Sequence, residues 1–105
     1  MDMSKLKTCF GNKLNINGDM FTLSKSEEIS GDFAVWDSLK YRIYATPNYE
    51  GTSLPMEIYT KEGDRINKNG SYNAKISSVK EYFSLVKSMA ERVIKDYEAS
   101  CSSGG

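Results

Sequence analysis

The residues best suited to chemistry or recognition in this chain fall on a period-two pattern. Phe33 and Val35 are followed by Arg42 and Tyr44 and then by Glu57 and Tyr59, with Tyr49 in the stretch between. On paired antiparallel strands such positions point to one side of a sheet. Tyrosine and arginine there supply broad contact area and hydrogen bonds at modest entropic cost, which is why both are enriched at protein interfaces. The same pattern also describes an ordinary strand surface whose aromatic cross-strand pairs only stabilise the sheet. Phe33 and Val35 favour an interface, because an apolar patch holding both would lower solubility if left in water; equally, both could lie under the connection Ser24–Gly31.

A second constellation is basic. Lys61, Arg65, Lys68 and Lys75, with Tyr72 among them, describe a loop that grips a phosphate backbone and stacks a base. Glu62, Asp64 and a net charge of zero weigh against it, and a solvated hairpin explains the same residues. Carboxylates are plentiful, but none pairs as an acid/base couple. Glu27 and Glu28 are adjacent in a polar stretch, and Asp32 and Asp37 flank a strand. The chain has no histidine, which removes the usual general base, metal ligand and pH switch. Cys9 and Cys101 are too few and too far apart for a zinc knuckle or a redox pair, and read as free thiols. No calcium loop, glycine-rich phosphate loop or nucleophile elbow occurs. Tyrosine, lysine and glutamate can carry protons, yet nothing arranges them as a catalytic set. The expectation is a protein that is not an enzyme and uses no cofactor and no metal.

These side chains sit on a chain of 105 residues with 14 basic and 14 acidic residues. That length suits one domain, residues 1–105, with residues 1–5 and 100–105 as frayed ends. Charge is unevenly distributed: residues 27–64 hold eight acids and three bases, and residues 65–105 hold seven bases and four acids. Sparse cysteine and the absence of a signal-like N-terminus suggest a cytoplasmic setting, and no apolar run reaches the roughly 20 residues a membrane span requires.

The elements that must position the candidate residues are legible in part. From Ser78 to Ala99, apolar residues recur in alternating steps of three and four. With Ile76 the stripe is Ile76, Val79, Phe83, Val86, Ala90, Val93 and Tyr97. This spacing predicts one amphipathic helix roughly 33 Å long. Ser78-Val79-Lys80-Glu81 fits a capping box, Ser78 capping and Glu81 reaching back. The stripe also fits a coiled-coil seam, but an apolar sheet face needs a cover. Lys80, Lys87, Glu91 and Lys95 would then form a solvated face with a Glu91–Lys95 pair.

Asn17-Gly18 predicts a type I′ hairpin with Ile16 opposite Asp19 and Leu14 opposite Phe21. A tight turn at Asp37-Ser38 would place Ala34, Trp36, Leu39, Tyr41, Ile43 and Ala45 on one face. A hairpin about Glu50-Gly51 sets Ile43 across from Ile58, Ala45 from Met56, Arg42 from Tyr59 and Tyr44 from Glu57. Lys61-Glu62-Gly63-Asp64 reads as a reversal, and Asn69-Gly70 as a second I′ turn joining Arg65–Lys68 to Ser71–Ile76.

The fold class is therefore α+β: an antiparallel meander of about 5–7 strands with one long C-terminal helix packed across one sheet face. The predicted core is Phe10, Leu14, Ile16, Phe21, Leu23, Trp36, Tyr41, Ile43, Met56 and Ile58, under Val79, Phe83, Val86, Ala90 and Val93. The functional expectation is a protein–protein interaction module that binds through Arg42, Tyr44, Tyr49, Glu57, Tyr59, Phe33 and Val35. In size and style it matches small phage or mobile-element inhibitors that occlude a host enzyme, an analogy only. The alternatives are a homodimeric structural module and a nucleic-acid binder using Lys61, Arg65, Lys68, Tyr72 and Lys75.

Overall fold

A computed structural model describes residues 11–25, 34–48, 50–67 and 70–103. Strands β1 (Lys13–Ile16), β2 (Asp19–Lys25), β3 (Val35–Asp37), β4 (Tyr41–Ala45), β5 (Ser53–Thr60) and β6 (Ser71–Asn73) precede helix α1 (Val79–Ser103). Each strand pairs antiparallel with the next, so the sheet is a meander in sequence order. Strand twist, with a register shift between Leu23 and Lys25, curls it into a half-barrel. The helix covers one face, which is the predicted α+β architecture.

Local chemistry sets the hairpins. At the β1–β2 turn Asn17 and Gly18 take φ of 56° and 85°, the left-handed pair that a type I′ turn demands. The register has Ile16 opposite Asp19 and Leu14 opposite Phe21, as predicted. The four pairings expected between β4 and β5 also hold.

The turn between β3 and β4 lies two residues further on than predicted. Trp36 faces Ile43, and Leu39 and Lys40 form the tip. Leu39 is 93% exposed, not part of the core. The reason is the division of labour between neighbours. The Ser38 hydroxyl accepts from the backbone N–H groups of Lys40 and Tyr41 at 3.2 and 3.0 Å, whereas Asp37 stays in the strand opposite Arg42. A displacement of two residues preserves the alternation, so Trp36, Tyr41, Ile43 and Ala45 still face inward.

The segment after β5 also differs. The reversal at residues 61–64 forms, with Gly63 at φ 98°. Among the described residues, however, 65–67 and 71–76 do not pair with each other, and the expected Asn69-Gly70 turn falls partly on Lys68 and Asn69, which lie outside the described residues. Both segments pair with the free edge of β5: Arg65 bridges to Tyr59 at one end, and β6 pairs with Ser53–Pro55 at the other. Between them the buried Asn67 side chain substitutes for a strand. Its Nδ2 donates to the Met56 carbonyl at 2.8 Å, and its Oδ1 accepts from the Ile58 N–H at 2.9 Å. Buried backbone polar groups need partners, and one amide satisfies two.

The core holds the predicted Ile16, Phe21, Leu23, Trp36, Tyr41, Ile43, Met56 and Ile58. Leu14 packs at its margin, and Phe10 lies outside the described residues. On the helix the fully buried positions are Tyr82, Val86, Ala90 and Ile94, while Val79, Phe83, Val93 and Tyr97 are half-buried. The buried line thus follows steps of four, drifting about 40° around the helix per step. A straight stripe would suit a flat face; this sheet is twisted, so its contact line winds around the helix. Tyr82 and Ile94 are absent from the predicted stripe for that reason.

Ser78 caps the helix, its hydroxyl accepting from the Glu81 N–H at 3.1 Å. Glu81 reaches back one residue further than a capping box, to the N–H and hydroxyl of Ser77. Lys87 and Glu91 pair with each other at 3.5 Å in place of the expected Glu91–Lys95 pair. They also meet the first hairpin: Lys87 Nζ donates to the Asn15 carbonyl at 2.8 Å and Asn17 Nδ2 donates to the Glu91 carbonyl at 3.0 Å. These bonds cover the outer edge of β1.

At the centre, Trp36 Nε1 donates to the Tyr82 hydroxyl at 3.1 Å, which donates to the Ala45 carbonyl at 2.6 Å. Burial drives the Tyr82 phenol well above its ordinary pKa, so it remains a donor. Tyr82→Phe keeps the ring but strands a carbonyl and an indole N–H. It is expected to lower unfolding free energy by about 1–3 kcal/mol. Urea denaturation should show an earlier midpoint with an unchanged slope.

Candidate functional site

The outer face of the sheet, turned away from the helix, is assembled by the registers. One cross-strand row runs Lys13, Thr22, Asp37, Arg42, Tyr59 and Arg65. The next contains Val35, Tyr44 and Glu57. Arg42, Tyr44, Glu57 and Tyr59 are therefore brought together as predicted. Tyr44 and Tyr59 meet edge to face, centroids 5.8 Å apart and planes at 86°, the arrangement that aromatic quadrupoles prefer.

Val35 is on this face but only 7% exposed, so it is not the exposed contact expected of it. Phe33 and Tyr49 lie outside the described residues.

Asp37 is the electrostatic centre. Its Oδ1 accepts from Arg42 Nε at 2.7 Å and from Lys61 Nζ at 3.0 Å, and its Oδ2 accepts from the Ser24 hydroxyl at 2.8 Å. Burial alone would raise its pKa. The hydrogen bonds from Arg42, Ser24 and Lys61, and the lysine charge, outweigh this and hold the carboxyl below its usual range. Asp37 also holds the Arg42 guanidinium more firmly protonated, with help from Tyr44. The Tyr59 hydroxyl donates to Glu57 Oε1 at 2.8 Å. That bond, with lesser desolvation, raises the phenol pKa. Arg65 approaches the same Glu57 oxygen at 3.7 Å. Asp37 is thus held ionised and Tyr59 protonated, so neither is poised to exchange a proton near neutrality.

Between these groups lies an open groove of about 450 Å³ lined by Arg42, Tyr44, Glu57, Tyr59, Thr60, Lys61 and Gly63. Asp37 and Lys61 are absent from the predicted set for this face. A turn at Asp37-Ser38 takes Asp37 out of the strand, whereas a turn at Leu39-Lys40 sets it opposite Arg42. Lys61 falls in sequence with the basic residues that follow it.

That basic constellation divides. Lys61 and Arg65 join the tyrosine face. Tyr72 instead sits opposite the buried Leu54 and lines a cleft with Ile66, Met89, Val93 and Tyr97 on the helix side. Lys75 lines a separate depression with Glu50 and Gly51, and Lys68 lies outside the described residues. Among the described residues, Tyr72 thus shares no groove with Lys61, Arg65 or Lys75.

Among the described residues, no three or more cysteine, aspartate or glutamate side chains converge as metal ligands, and no helix is long and apolar enough to cross a membrane. Cys101 is exposed on α1, and Cys9 lies outside the described residues.

Asp37 makes a pH signature measurable. Because its folded pKa is lowered, the stability it contributes is present above its ordinary value of 3.8 and is lost as pH falls through the folded one. Asp37→Asn is expected to be less stable than the parent at neutral pH by about 1 kcal/mol or less, since the paired groups are partly exposed. The two unfolding curves, followed by circular dichroism across an acid series, should converge once Asp37 is protonated.

No protein-family model, curated protein or solved structure matches this chain.

Proposed function

We propose that the chain is a non-enzymatic protein-binding module that docks a partner on the outer face of its sheet. The observation that carries this is the groove itself: two tyrosine rings held edge to face, flanked by Arg42 and Lys61, open to solvent on a scaffold of paired strands. Rigid tyrosines and a positioned arginine are the side chains that dominate binding energy at protein interfaces. Their cross-strand bonds remove much of the ordering cost before a partner arrives. The carboxylates Asp37 and Glu57 sit among the cations, a mixed surface that suits a protein partner better than a polyphosphate. The mode of action would be occlusion, a small rigid face covering part of a larger protein, as small phage or mobile-element inhibitors cover a host enzyme.

Tyr44→Ala combined with Tyr59→Ala is expected to leave the fold intact, at a cost of about 1 kcal/mol for the lost cross-strand pair. Capture of a specific partner from lysate, identified by mass spectrometry against the parent protein, should fall at least about tenfold. Undiminished capture by the double variant would remove this face from the mechanism. A dimeric mass by light scattering that persists in the variant would favour a homodimeric module instead.

A further inference from the structure

The groove on the outer face has a charge that the chain as a whole does not. Among the described residues that line it and the depression beyond Tyr44, Arg42, Lys61 and Arg65 are cations and Glu57 is the one carboxylate, with Asp37 bonded to Arg42 and Lys61. Asp37 Oδ1 is shared between Arg42 and Lys61, so one carboxylate balances two cations. Glu62 and Asp64, on the same turn as Lys61, do not line the groove. A neutral chain with 14 bases and 14 acids therefore presents an excess of cations along the groove beside its tyrosines.

The relief of that face has a direction. The groove at Arg42 and Lys61 shares Tyr44 and Glu57 with a smaller depression of about 220 Å³ that reaches Thr46, Pro55 and Arg65. Cations stand toward both ends, with the tyrosine pair between them. An extended strand of peptide repeats its same-side residues about every 7 Å, and so can set carboxylates near the cations while passing Asp37 and Glu57. A nucleic acid carries a charge on every residue and would bring phosphates against both carboxylates.

We propose that the occupant of this face is an extended acidic segment of the partner protein. Its carboxylates lie at Arg42 and Lys61 and at Arg65, and an aromatic or apolar side chain rests on Tyr44 and Tyr59. The proposal rests on the docking role given above and names the chemistry of its partner. When the segment binds, a carboxylate takes the second cation on Asp37, giving each cation its own counter-charge.

The test uses the full chain and a fluorescein-labelled glutamate/tyrosine copolymer of about 20 residues, read by anisotropy at about 50 mM salt and again at about 300 mM, where exposed charges are screened. Saturable binding that weakens at least about tenfold at the higher salt is expected, with no binding of poly-lysine of the same length. Arg42→Gln with Lys61→Gln should weaken binding about tenfold or more, while Lys80→Gln with Lys95→Gln on the helix should change it less than about twofold. Absence of copolymer binding, an equal loss in the helix variant, or tighter binding of oligo-dT of similar charge would each overturn the proposal. Circular dichroism of both double variants separates lost binding from lost fold. If the copolymer fails while Tyr44→Ala/Tyr59→Ala still loses its captured partner, the acidic segment is wrong and the docking face stands. If that variant keeps its partner, the docking face itself is wrong.

Discussion

The burial of one face of a twisted sheet under a single helix is the constraint on which the outer surface depends. Apolar contact supplies most of the driving force but little orientation. Orientation comes from the chain of bonds from Trp36 through the Tyr82 hydroxyl to the Ala45 carbonyl. That chain ties β3 and β4 to the helix at one point, with Phe83 packed edge-on against Trp36 at 5.5 Å. An apolar residue at position 82 could fill the space, but it would leave two polar groups of the sheet unsatisfied. Near the other end of the helix, Tyr41 donates to Glu98 at 2.8 Å. The helix is thus held by polar contacts near both ends and, through Lys87 and Glu91, to the first hairpin, while its apolar ridge winds with the sheet.

Strand β5 carries this order to the outer face of the sheet. One edge is paired with β4; the other is completed in pieces by Arg65, the Asn67 amide and β6. A strand paired on both sides has little freedom to shift register, because a slip of one residue would exchange its buried and exposed faces. Ile58 and Met56 beneath it are fully buried, which makes that exchange prohibitive. Glu57 and Tyr59 on the opposite side inherit the rigidity. The groove is as much a product of Asn67 and the core as of the residues that line it.

On that face the electrostatics are arranged around sharing. Two cations use one oxygen of Asp37, and a tyrosine hydroxyl and an arginine approach one oxygen of Glu57. Shared acceptors fix side chains that would otherwise sample many rotamers, and they leave positive charge in excess. A surface so ordered is suited to recognition, where preorganisation reduces the entropy lost on docking.

The sequence alone determined the strand alternation, the first hairpin and the register between β4 and β5. Asn17-Gly18 set the first hairpin, and the pairings from Arg42–Tyr59 to Ala45–Met56 followed from strand periodicity, because these couple neighbours along the chain through backbone geometry alone. The same periodicity placed Arg42, Tyr44, Glu57 and Tyr59 together. Tertiary structure decided the rest. The Leu39 turn was settled by a competition between the Ser38 hydroxyl and the Asp37 carboxylate, whose partners lie on β2, β4 and the turn after β5. The helix contact line follows Tyr82 and Ile94 because the sheet it meets is twisted. The division of Lys61 and Arg65 from Tyr72 arises because two segments separated in sequence complete one edge of β5 while directing their side chains to opposite faces. Such choices depend on which distant partner satisfies a buried group or a charge, and that information exists only once the chain has folded.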